Sequence, residues 1–188
     1  MKKLKVSSLV FIALAGLMIT GCKSKKEALP KGETEVKIPC SGAGYFTDNK
    51  AFRANSLGES MDIVASKKKA LSNARGELAA SIQTTVKAVT DNYLNSREMN
   101  NKEEVEERFE QLNREVVNQK LQGIKTICEQ QVKTADGTYK TYIAIELSAD
   151  DLVSAYNERL SKDERLKIDY DYEKFKQTFN EEMDKMAN

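Results

Sequence analysis

The chain has 188 residues with no histidine and no tryptophan, and its 30 Lys and Arg against 29 Asp and Glu leave a formal charge of +1. A nucleic-acid binder normally carries a basic excess, so that class is not expected. Without histidine the chain lacks the commonest general base, the Ser–His nucleophile pair and the commonest zinc ligand. This argues against an enzyme without excluding one, and no cofactor or metal is expected.

Residues 1–21 have the zones of an export signal: basic Lys2, Lys3 and Lys5, an apolar run over 9–19, and small residues before a cut. A bilayer span needs roughly 20 apolar residues, whereas this run fits the signal-peptide range of about 7–15. Ile19-Thr20-Gly21-Cys22 resembles the lipobox of bacterial lipoproteins. The resemblance covers 22 residues. It implies diacylglyceryl transfer to the Cys22 thiol, cleavage before Cys22 and, often, acylation of the new amine. An uncleaved anchor with a chance cysteine is the alternative. Two or three acyl chains hold a protein stably at a membrane where one does not. Removal of the signal, with three lysines and no acids, takes the formal charge to −2.

Residues 22–39 are polar, charged and interrupted by Pro30 and Gly32, the composition of a lipidated tether. Lys23, Lys25 and Lys26 would lie against anionic headgroups or form a solvated tether. Residues 40–161 are expected to form an α+β core domain and 162–188 a C-terminal helix.

Within the core, residues 51–57 suit a short strand ending at Gly58. Ser60 is placed to cap a long helix over 60–94. Its apolar face is Leu71, Ala74, Leu78, Ile82, Val86, Val89 and Tyr93, at steps of three and four. A second helix over 102–119 carries Val105, Phe109, Leu112 and Val116. Alternating runs over 124–132 and 139–147 flank Asp136-Gly137, a hairpin signal. With those two as the turn, Val132 faces Thr141 and Cys128 faces Ile145. Ile124, Cys128, Val132, Ile143, Ile145 and Leu147 then share one face toward the long helix. Ser148, with Asp150 and Asp151 behind it, caps a helix to about 160. A last helix over 164–186 carries Tyr172, Phe175, Phe179 and Met183 at helical spacing, a stripe suited to core or partner contact. The expected fold is a small antiparallel sheet, a hairpin plus one strand, packed against the long helix with further helices C-terminal to it.

Few features suggest chemistry. Asp150/Asp151 reads as capping, and Asp169/Asp171 has no glycine-centred calcium loop around it. Ser41-Gly42-Ala43-Gly44 lacks the P-loop lysine and reads as a turn, and Lys67–Lys69 read as a solvated face. With Cys22 consumed by lipid, Cys40 and Cys128 remain as an even pair in an oxidising compartment. A bridge between them would contribute roughly 4–5 kcal/mol in the loop-entropy model. Two thiols with Cys128 as a small buried apolar residue are the alternative, and the bridge is favoured because it would staple the point where tether meets domain.

The stretch Ala70-Leu-Ser-Asn-Ala74-Arg-Gly-Glu-Leu78-Ala, with three lysines before it and Ser-Ile82-Gln-Thr-Thr-Val86 after it, resembles the LPP-twenty lipoprotein family. Thr141-Tyr-Ile-Ala-Ile-Glu-Leu147 is similar to that family's closing strand. The match runs over residues 52–147 through packing patterns and carries no catalytic residues. It implies an outer-membrane lipoprotein, some relatives of which contribute to flagellar motor or other envelope assemblies. Lys23 in place of aspartate after Cys22 also favours outer-membrane delivery under the enterobacterial sorting rule. The functional expectation is a non-enzymatic module at the periplasmic or surface face, which binds an envelope protein or a second copy through the Tyr172, Phe175, Phe179 and Met183 stripe. A binder of a small molecule, lipid or glycan in a pocket between sheet and helices is the alternative, and a hydrolase ranks last.

Overall fold

The computed structural model describes residues 30–96, 102–164, 166 and 170–187. The packed unit begins at Lys37. The expected export signal over 1–21, Cys22 and Asp169 lie outside the described residues.

Strand β1 (Ala51–Ser60), helix α1 (Ile63–Asn95), helix α2 (Lys102–Lys120), strands β2 (Lys125–Lys133) and β3 (Tyr139–Ser148), helix α3 (Ala149–Leu160) and helix α4 (Tyr172–Ala187) follow in that order. The sheet is antiparallel with β3 in the centre, in the order β1-β3-β2. The architecture is α+β, with α1 laid on one face of the sheet, α2 and α4 packed on α1, and α3 packed on α2 with further contacts to β3, β1 and α4.

Helix α1 is 33 residues long, about 50 Å at 1.5 Å per residue, and serves two neighbours. Its cap is Asp62, whose Oδ1 accepts the Ala65 N–H at 2.7 Å. The expected cap, Ser60, is instead the last residue of β1. Ala70, Ala74, Leu78, Ile82, Val86, Val89 and Tyr93 are all buried at steps of three and four, the stripe of a one-sided helix. Leu71 lies at the margin of that stripe, only partly buried. Small residues come first because the sheet lies closest there. A Cβ built on Gly58 would stand 2.1 Å from the Ser66 carbonyl oxygen and 2.4 Å from the Ala70 nitrogen. Large residues come later, where Tyr93 meets Phe109 of α2 and Phe175 of α4 with ring centroids 6.2 and 5.6 Å apart.

The hairpin differs from expectation by one residue. Thr134 N–H donates to Thr138 O at 2.8 Å and Gly137 N–H to Thr134 O at 3.0 Å. Ala135, Asp136 and Gly137 therefore form a three-residue loop with Gly137 at φ +90°, the left-handed position that such loops give to glycine. Val132 accordingly faces Lys140, and Cys128 faces Ala144. A one-residue slip moves side chains to the other face. Thr141, Ile143, Ile145 and Leu147 face α1 with Phe52, Ala54 and Gly58. Cys128 and Val132 lie on the opposite face. An irregularity between Thr126 and Cys128 shifts the register again, and Ile124 precedes the strand, half-buried against the core.

Candidate functional site

The sheet face turned away from α1 is organised around Arg53. Its guanidinium binds Asp48 Oδ2 and Glu146 Oε2, each at 2.7 Å, and donates to Phe46 O at 2.9 Å. The Arg53 hydrogen bond holds the Asp48 carboxyl below its ordinary pKa. This cluster fastens the 46–50 loop to the strand. Beside it, Cys40 and Cys128 are joined with S–S 2.09 Å and Cα–Cα 5.5 Å, so the beginning of the domain is tied to β2. The glycine-rich 41–44 segment between them forms a turn, with a 3₁₀ helix at Ala43–Tyr45 and Gly42 at φ +100°.

Helix α4 corrects the expected interaction stripe. Phe175, Phe179 and Met183 are fully buried and Tyr172 is partly buried against the same core. Phe175 packs within about 6 Å of the rings of Tyr93, Tyr156 and Tyr170, and Phe179 meets Phe52 of β1 edge-on at 6.3 Å. The stripe closes the protein's own core, because α1 extends past the sheet and its far half needs apolar cover. It offers no face to a partner.

Polar groups inside the core are few. Ser66 Oγ donates to Ile63 O at 2.8 Å and lies 2.8 Å from Thr141 Oγ1, which accepts from Gln131 Nε2 at 3.1 Å. This buried hydroxyl pair joins α1 to β3. Tyr156 OH is buried without a partner among the described residues, and burial pushes its pKa well above the ordinary value. Asp150 and Asp151 stand in the first turn of α3, where Ser148 Oγ accepts the Asp151 N–H at 3.3 Å. Asp171 Oδ1 accepts the Lys174 N–H at the start of α4. Ser148 caps α3 with the two acids in its first turn, and Asp171 caps the start of α4. Of the three lysines, Lys67 binds Glu129 at 2.9 Å and Lys69 donates to Glu59 O at 3.1 Å.

The space between sheet and helices, the expected ligand pocket, is filled by Leu78, Ile82, Ile143 and Ile145, all at most 1% exposed. A cleft of about 420 Å³ lies elsewhere, between α1 and α2, lined by residues that include Lys87, Thr90, Asp91, Glu110, Asn113 and Arg114. Thr90 Oγ1 and Asn113 Oδ1 beside it are buried without a partner among the described residues. No group of three or more metal-ligating side chains occurs among the described residues, and no described helix is long and apolar enough to cross a membrane.

Two surface features carried no sequence signal that was recognised. Met61, Ile63 and Val64 are exposed at the corner between β1 and α1, and the outer edge of β2 is bare among the described residues. The alternation of the hairpin located both strands, but the edge depends on strand order, which local pattern does not reveal. No protein-family model matches the chain, and comparison with curated proteins and with solved structures gives no match.

Proposed function

We propose that the protein is an envelope lipoprotein, held at the outer membrane by acyl chains on Cys22, whose α+β domain acts as a structural or protein-interaction module and not as a catalyst. The observation that carries this reading is the ordered series of basic residues, short apolar run and Ile19-Thr20-Gly21-Cys22. The packing pattern over residues 52–147, read as a resemblance to the LPP-twenty family, is in keeping with this reading.

The test is membrane fractionation with metabolic acyl labelling in a bacterial host. The wild-type chain is expected in the outer-membrane fraction with label, and Cys22→Ala is expected to lose the label and accumulate with its signal attached. Label retained by Cys22→Ala contradicts the reading.

A ligand-binding role is the second reading, and the α1–α2 cleft with its two unpartnered oxygens favours it. Saturable calorimetric binding of a polar glycan fragment, lost in Arg114→Ala, would establish that role.

A further inference from the structure

The two margins of the sheet are treated differently. On β1, the outward Ala51 N–H donates to Asp48 Oδ1 at 3.0 Å and the Ala51 carbonyl accepts from Asp48 N at 3.1 Å. Thr47 Oγ1 both accepts from Arg53 N–H and donates to Arg53 O. Further along, Leu57 O is taken by Asn73 Nδ2 and Glu59 O by Lys69 Nζ. That edge is closed over most of its length by a loop and by two side chains of α1.

Among the described residues, strand β2 has no such cover. Odd-numbered residues of β1 point outward, and their even-numbered neighbours pair with odd-numbered residues of β3. The even-numbered residues of β3 therefore turn to Cys128, Gln130 and Val132 of β2. The N–H and C=O groups of Glu129, Gln131 and Lys133 are left facing outward. Nothing among the described residues bonds them, and all three residues are exposed. An open edge of this kind is a template for another strand.

We propose that β2 pairs antiparallel with β2 of a second copy of this chain, so that two three-stranded sheets become one. Charge selects the register. With the two-fold axis at Gln131, Glu129 stands opposite Lys133 of the second copy, and symmetry repeats the pair. With the axis at Glu129, two carboxylates would face each other and Lys125 would oppose Lys133. The irregularity beyond Cys128 bends the strand away from a flat partner, which confines the contact to residues 129–133. Within one copy Glu129 binds Lys67 of α1 at 2.9 Å and the Lys133 ammonium lies over the Tyr139 ring of β3 at 5.1 Å, and pairing across the axis adds an opposite charge to each. The inference rests on the interaction-module reading above and names its partner.

Sedimentation equilibrium of the full chain in a density-matched non-ionic detergent tests it. The unmodified chain is expected at twice its own mass. Glu129→Lys and Lys133→Glu are each expected to weaken association roughly tenfold, because each sets like charges opposite one another. An equimolar mixture of the two variants restores pairing, as does the double substitution in one chain. Unchanged melting midpoints show that both single variants remain folded. A chain that stays monomeric throughout, or association equal in the single variants and their mixture, overturns the proposal. A monomer that is still acylated at Cys22 separates this failure from failure of the anchoring reading.

Discussion

Gly58 shows how one side chain sets the spacing of two elements. A Cβ there meets the backbone of Ser66 and Ala70, which cannot rotate aside, so α1 would have to lift from the sheet. Gly58→Ala is expected to cost about 3 kcal/mol, the upper part of the overpacking range, read as a fall in the urea midpoint. Tyr156 gives the opposite case. Its hydroxyl is buried with no partner among the described residues, and removing an unsatisfied polar group is near neutral or stabilising. Burial raises its folded-state pKa above that of the unfolded chain. Its contribution is therefore fully present below about pH 10 and is lost as pH rises beyond that value. Tyr156→Phe is expected to match or exceed the wild type at pH 7 and to lose less stability between pH 9 and 11. A variant that loses as much as wild type across that range would show that another group titrates. Gly58 was visible in the sequence as the end of a strand. The approach of α1 was not, because it depends on which helix residues arrive there.

At the scale of elements, the long helix was legible because its apolar period runs unbroken from Ala70 to Tyr93. Strand β1 was read short, since Gly58 and Glu59 are poor strand formers and the strand extends through them to Ser60 by pairing with β3. The cap moved from Ser60 to Asp62 for the same reason. Asp136-Gly137 located the hairpin but not its loop length, and a loop longer by one residue reversed the face assigned to Cys128 and Val132. The last helix begins at Tyr172, with turn residues at 161–164. Its apolar stripe was legible as a stripe, but the pattern is the same for core and for partner contact. Burial of Phe175 predicts that Phe175→Asp unfolds the domain, seen as loss of a cooperative melt. Retention of the melt with loss of assembly would restore the stripe as an interaction surface. The disulfide spans 88 positions, and its reduction is expected to cost about 2–4 kcal/mol in urea unfolding. An unchanged midpoint in reductant would contradict that.

For the whole molecule, the domain closes its own core with α4, leaving the β2 edge, the α1–α2 cleft and the exposed corner at Met61, Ile63 and Val64 as surfaces. The proposed anchoring rests on residues that are contiguous and must occur in order. A role for the domain is less legible in the sequence, because an edge, a cleft or a corner is assembled from distant segments. The account stands first on the fate of Cys22. Intact mass spectrometry of the mature protein from a bacterial envelope is the direct test. The predicted result is a chain that begins at Cys22 and carries diacylglycerol on its sulfur. A chain that retains Met1–Gly21, or one cut elsewhere with an unmodified Cys22, would contradict it.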